Sequence, residues 1–135
     1  MEDSHIAQTN LPNDVSVFGV FDGHGGAEVA LYVKKHFIPT LIRSEKFQTQ
    51  DYQGALYDTF LEMDNQIQTK EGSKEVISLM ENENESSMAG CTANVCLIAK
   101  KVLYCANSGD SRSVIRKNTV NVLFIIGKCG FKYRS

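Results

Sequence analysis

Apolar and polar positions first fall into a regular pattern at residues 15–21, Val-Ser-Val-Phe-Gly-Val-Phe, where Val15, Val17 and Phe21 share one side of a β-branched and aromatic stretch. That pattern predicts a buried strand. It runs into Asp22-Gly23-His24-Gly25-Gly26, a turn that no regular element would hold. From Ala27 the period becomes helical: Val29, Val33, Phe37 and Leu41 recur every four residues with Ala30 beside them, which leaves Glu28, Lys34 and Lys35 outside. Pro39 is expected to bend or end this helix. A second helix is predicted from about Asp51 to Lys70 on the stripe Leu56, Phe60, Met63 and Ile67. The polar stretch from Gly72 to Ser87 reads as a solvated loop, its acidic end too well hydrated to act as a metal site.

Apolar strands return at Thr92–Ala99 and Val102–Ala106, joined by Lys100-Lys101 as a tight antiparallel hairpin with a charged tip. Asn107 to Ser111 forms another turn, and Ser113–Arg116 reads as a third short strand. Strand, helix, helix and then a strand meander predict an α+β fold with helices layered on antiparallel sheet. No internal repeat is visible.

Composition narrows this picture without changing it. A chain of 135 residues, 42% hydrophobic and 22% charged, fits one globular domain at most. The net charge of −2 carries no electrostatic footprint for nucleic acid or an anionic membrane. Cys91, Cys96, Cys105 and Cys129 lack C-x-x-C spacing, so they read as buried, reduced thiols of a cytoplasmic or nuclear protein. Met-Glu-Asp-Ser-His reads as neither a signal nor a transit peptide, and the apolar run from Val122 to Ile126 is far short of a membrane span.

The candidate chemistry sits in the turns. A strand that ends in Asp22 fixes a carboxylate at a sheet edge, and the flanking glycines let backbone approach an ion or a phosphate closely. A carboxylate beside an exposed carbonyl suits Mg²⁺ or Mn²⁺, and His24 can exchange a proton near neutral pH. The same pentapeptide also fits a glycine-rich turn with a helix-capping Asp. Glu2 and Asp3 alone would be solvated, and Ser108-Gly109-Asp110-Ser111-Arg112 alone would be a β-turn.

In combination these segments resemble a known family. Met-Glu-Asp-x-His at the start, Phe-Gly-Val-Phe-Asp-Gly-His-Gly-Gly (18–26), Gly-Cys-Thr-Ala (90–93) and Leu-Tyr-Cys-Ala-Asn-Ser-Gly-Asp-Ser-Arg (103–112) are similar to successive motifs of the protein phosphatase 2C family. The resemblance covers residues 1–117, the N-terminal part of the family's catalytic domain, and leaves 118–135 as a divergent tail. It implies a partial four-layer α-β-β-α sandwich of two antiparallel sheets, and hydrolysis of phosphoserine and phosphothreonine in phosphoproteins. It also implies two Mg²⁺ or Mn²⁺ ions and a weaker third. Carried over by position, Asp22 bridges the two ions, Gly23 offers its carbonyl, Glu2 binds the other ion and Asp3 acts through water. His24 takes the place of the general acid and Asp110 belongs to the third ion. The family's phosphate-binding arginine and first strand, upstream of Met-Glu-Asp, and two further aspartates have no counterpart here. On that reading a truncated chain is expected to be a poor enzyme, and an inactive pseudophosphatase or binding fragment of the same fold is the alternative. A calcineurin-like phosphoesterase is set aside, because its Gly-Asp-x-His-Gly order is not the order found here.

Overall fold

The computed structural model describes residues 2–80, 89–115, 121–127 and 131–132. The strand predicted at 15–21 is β2 (Val15–Phe21), preceded by β1 (Ser4–Leu11) and a 3₁₀ turn at Pro12–Asp14. Four helices follow a two-residue β3 (Gly23–His24): α1 (Glu28–Arg43), α2 (Glu45–Gln48), α3 (Tyr52–Gln68) and α4 (Lys70–Ser78). The chain then returns as β4 (Gly90–Cys91), β5 (Ala93–Ala99) and β6 (Val102–Ser108), and ends in β7 (Asn121–Gly127) and β8 (Phe131–Lys132). One sheet has the order β1-β2-β5-β6-β7 and a smaller one β3-β4-β8.

The class is α+β as predicted, and the first four strands of the large sheet pair antiparallel. Lys100 and Lys101 close the β5–β6 hairpin with φ of 48° and 66°, the left-handed pair that suits a two-residue hairpin loop. On the helix side of the sheet Val15, Val17, Phe21, Val95 and Leu97 are fully buried against Val29, Val33, Phe37 and Leu41 of α1 and Leu56, Met63 and Ile67 of α3. Gly19 belongs to this face. A Cβ there would stand 3.0 Å from Ile6 Cγ1 and 3.1 Å from Val95 Cγ2, so its bareness lets β1 and β5 close over β2.

Several expectations are corrected. Helix α1 continues through Pro39 to Arg43, because proline's φ is already helical and only one amide donor is lost on an exposed position. The Arg43 Nε donates to the Pro39 carbonyl, 3.0 Å away. Part of the expected polar loop is helix α4. Thr69 caps it by accepting from the Gly72 amide (3.0 Å), and Val76, fully buried, anchors it. The rest of that loop, 81–88, lies outside the described residues.

Residues 113–115 of the expected third strand form no strand, while position 116 lies outside the described residues. The edge of β6 that they would need is taken by β7, which pairs in parallel from Val102↔Asn121 to Ser108↔Gly127. Two segments of the tail read as divergent are therefore strands. Position 1, position 117 and tail residues 118–120, 128–130 and 133–135 lie outside the described residues. Glu28, expected outside, is buried at 6% exposure. Side chains lean toward a helix's N-terminus, and Glu28, in the first turn, folds back over Gly26.

Candidate metal and phosphate site

Strand register assembles the site. β1 and β2 pair with Ser4 opposite Phe21, so continuing the ladder sets Asp3 opposite Asp22 and Glu2 opposite Gly23. The approach is close: a Cβ on Gly23 would lie 2.4 Å from the Glu2 carbonyl oxygen. On the other flank the Thr92 amide donates to the Asp22 carbonyl at 2.9 Å, and Gly23 pairs with Cys91 and His24 with Gly90. A run of polar residues at the start of the chain, uninformative alone, is thereby stitched to the strand-end aspartate.

The Gly25-Gly26 turn completes the corner. Both glycines have positive φ, 70° and 141°, conformations that side chains rarely adopt. The Gly26 amide faces the Glu2 carboxylate, with Oε2 at 3.4 Å, and a Cβ on Gly26 would meet the Glu28 carboxylate oxygens at 2.3 and 2.6 Å. Glu2, Asp3, Asp22, His24 and Asp110 are all exposed, and Gly23 is half-buried.

Asp110 stands at the same end of the sheet but farther along it. The β5–β6 ladder ends at Ala93↔Ser108, two residues before it, and the position beside Cys91 on the side away from Gly23 is taken by Phe131 of β8. Its turn is pinned by polar contacts. Gly109 (φ 107°) packs on Thr92, whose Oγ1 lies 2.6 Å from Ser111 Oγ, and Asn107 Nδ2 donates to the Gly109 carbonyl at 3.1 Å. Glu2, Asp3, Asp22, Gly23 and His24 thus share one corner, and Asp110 flanks it.

The donors at this corner are carboxylate and carbonyl oxygens, a set that suits a hard divalent cation. Cys91 does not compete as a thiolate: burial first, then the Asp22 charge, pushes its thiol up to about 12. Among the described residues no three side chains of His, Cys, Asp and Glu stand together as a closed cage. An ion here would rest on carboxylates, the Gly23 carbonyl and water, as Mg²⁺ commonly does.

Sequence reasoning missed two participants. Glu28 carried a signal, an acid directly after Gly-Gly in a first helical turn, but helical periodicity alone put it outside. Thr92, which holds the Asp22 carbonyl, reads in sequence only as the first residue of a strand. A cavity of about 380 Å³ lies elsewhere, between α1 and α3, lined by Thr40, Arg43, Asp58, Glu62 and Gln66.

A sequence profile of the family described as Protein phosphatase 2C matches residues 1–124. Among curated proteins, "Probable protein phosphatase 2C 4" of Paramecium tetraurelia is 54% identical over 121 residues, covering 90% of this chain and 40% of the relative. The chain therefore spans about two fifths of the length of such Paramecium tetraurelia relatives. Among solved structures, the serine-threonine phosphatase 2C from Toxoplasma gondii superimposes with a TM-score of 0.55 at 24% identity, covering 74% of this chain and 35% of that one. A C. elegans sex-determining protein gives a TM-score of 0.53 at 26% identity, over 72% and 23%.

Proposed function

The chain belongs to the protein phosphatase 2C family, and from that premise we propose that it forms part of a Mg²⁺- or Mn²⁺-dependent protein serine/threonine phosphatase acting on phosphoproteins. The observation that supports this reading best is the register that brings Glu2 and Asp3 against Asp22 and Gly23. Two segments far apart in sequence supply hard oxygen donors to one corner, beside an imidazole.

In this reading Asp22, the Gly23 carbonyl and Glu2 would hold two divalent ions, Asp3 would act through water, and Asp110 would serve a third, weaker ion. Bound divalent ions supply an acidified water, a nucleophile at neutral pH. His24 hands a proton to the departing serine or threonine oxygen, which would otherwise leave as a strongly basic alkoxide. A binding fragment that keeps Asp22 and His24 without turnover is the alternative, and it differs in its products.

The test starts with metal binding, read from the loss of the free Mn²⁺ paramagnetic signal. The chain should take up Mn²⁺, and Asp22→Asn should weaken uptake at least tenfold while the circular dichroism spectrum is retained. Equal uptake by Asp22→Asn would remove the assignment. Release of phosphate from a phosphothreonine peptide in Mn²⁺ then separates the phosphatase from the binding fragment.

A further inference from the structure

Cys96 and Cys105 are direct cross-strand partners in the β5–β6 hairpin. Opposed residues of an antiparallel pair point to the same face, with Cα atoms about 4.5–5.5 Å apart, inside the span a disulfide bridges. Both are free thiols here. Cys105 is 3% exposed, and Cys96 is half-buried on the sheet face that carries Phe18 and Ile98, away from the helices. Burial raises the Cys105 thiol above its ordinary range, and the neighbouring Cys96 adds to the shift.

A third group joins them. Ser113 Oγ lies 3.5 Å from Cys96 Sγ and donates to Asn94 Oδ1. Asn94 Nδ2 in turn donates to Asn107 Oδ1 at 2.7 Å, and Asn107 holds the Gly109 carbonyl. The thiol pair is thus tied to the 109–113 turn, which carries Asp110.

We propose that Cys96 and Cys105 are a redox modification site, a dithiol that a hydroperoxide closes reversibly into a cross-strand disulfide and that thereby loosens the 109–113 turn. Cys96, the more accessible sulfur, attacks the peroxide as its thiolate. An S–O bond forms, the O–O bond breaks, and the departing hydroxide takes a proton to become water. The Cys105 thiol then gives up its proton and attacks the Cys96 sulfur. The S–S bond forms, the S–O bond breaks, and a second water leaves. Two thiols and one peroxide yield one disulfide and two waters. Only Cys96 must be reached from solvent, so the burial of Cys105 protects the bond without preventing it. With both sulfurs oxidised, Ser113 loses the Cys96 thiol as a partner and the turn loses an anchor.

The test exposes the full chain to hydrogen peroxide, quenches with an alkylating agent under denaturing conditions, and maps peptides by mass. A Cys96–Cys105 linkage with loss of two hydrogens is expected, reversed by a dithiol reductant and abolished in Cys96→Ser and in Cys105→Ala. Cys91→Ser and Cys129→Ser should leave it intact. Amide hydrogen exchange at residues 109–113 should quicken on oxidation of the parent chain and not of Cys105→Ala. Because the linkage is read first in the parent chain, a poorly folded variant does not obscure it. Sulfinic acid at Cys96 without a linkage, a bond to Cys91, Cys129 or a second chain, or unchanged exchange at 109–113 would overturn the proposal.

Discussion

At the scale of single residues, the division of labour around Asp22 sets two expectations. His24→Ala should slow a phosphothreonine peptide about 10²–10⁴-fold in a phosphatase containing this segment, the usual size of general acid catalysis. It should slow p-nitrophenyl phosphate far less, since nitrophenolate departs without a proton. Equal losses on the two substrates would assign His24 another role. Gly23→Ala tests the scaffold instead. Its Cβ would press on the Glu2 carbonyl oxygen at 2.4 Å, a backbone atom that cannot swing aside. Overpacking of this kind costs about 1–3 kcal/mol, read as a lower urea midpoint, and should weaken Mn²⁺ uptake by parting Glu2 from Gly23. The candidate residues were legible as types, because a strand that stops at Asp-Gly-His-Gly-Gly is unusual. Their assembly was not legible from pattern, because strand β1 carries His5, Gln8, Thr9 and Asn10 and shows no clean apolar alternation. An edge strand that buries chiefly Ser4 gives periodicity little to detect.

At the scale of elements, periodicity read α1, α3, β2 and the β5–β6 hairpin well, because each buries a full stripe of side chains. Helix α4 escaped it, since Val76 is its one deeply buried large side chain. What secures the rest of α4 is a contact that no local pattern encodes. Glu75 Oε1 accepts from Lys35 Nζ at 2.6 Å and lies 2.9 Å from His36 Nε2, both on α1, with Tyr32 stacked on the His36 ring at 4.3 Å. The hydrogen bond from Lys35 first, then that with His36, lowers the Glu75 carboxyl below the ordinary carboxylate range. A depressed carboxyl contributes stability that is complete above its unfolded value and fades as pH falls through the lower, folded one. Helix α4 should therefore loosen from α1 as pH drops below the ordinary carboxylate range, seen as faster amide exchange across 70–78. Glu75→Gln should show the loosened state already at neutral pH and lose its acid sensitivity. The exposed Lys35 limits the contribution of the ion pair, so the global unfolding midpoint should move only slightly. Unchanged exchange in Glu75→Gln would mean that Val76 alone holds the helix.

At the scale of the whole molecule, the large sheet has two unlike faces. The helix side is sealed, with Val15, Val17 and Phe21 at 0% exposure, whereas on the reverse side Phe18, Val20 and Ile98 remain 40%, 49% and 43% exposed. They form one neighbourhood, since Phe18 pairs with Cys96 between the rows of Val20↔Asn94 and Ser16↔Ile98. Periodicity singled out the side of β2 that carries Val15, Val17 and Phe21, and the other side carries Phe18 and Val20. Apolar residues clustered in this way offer a surface to hydrophobic dyes. A triple variant, Phe18→Ser with Val20→Thr and Ile98→Thr, removes that surface while β-branched threonines keep strand propensity at two of the three positions. It should bind clearly less of an anilinonaphthalene dye than the parent chain. The dye signal is the readout, because these side chains are about half buried and removing them lowers the urea midpoint as well. Val17→Ala supplies the opposite pattern from the sealed face. Deleting two fully buried methyl groups costs about 1–3 kcal/mol, so the midpoint falls and partial opening raises dye binding. If instead the triple variant keeps its full dye signal, the reverse face is covered in solution.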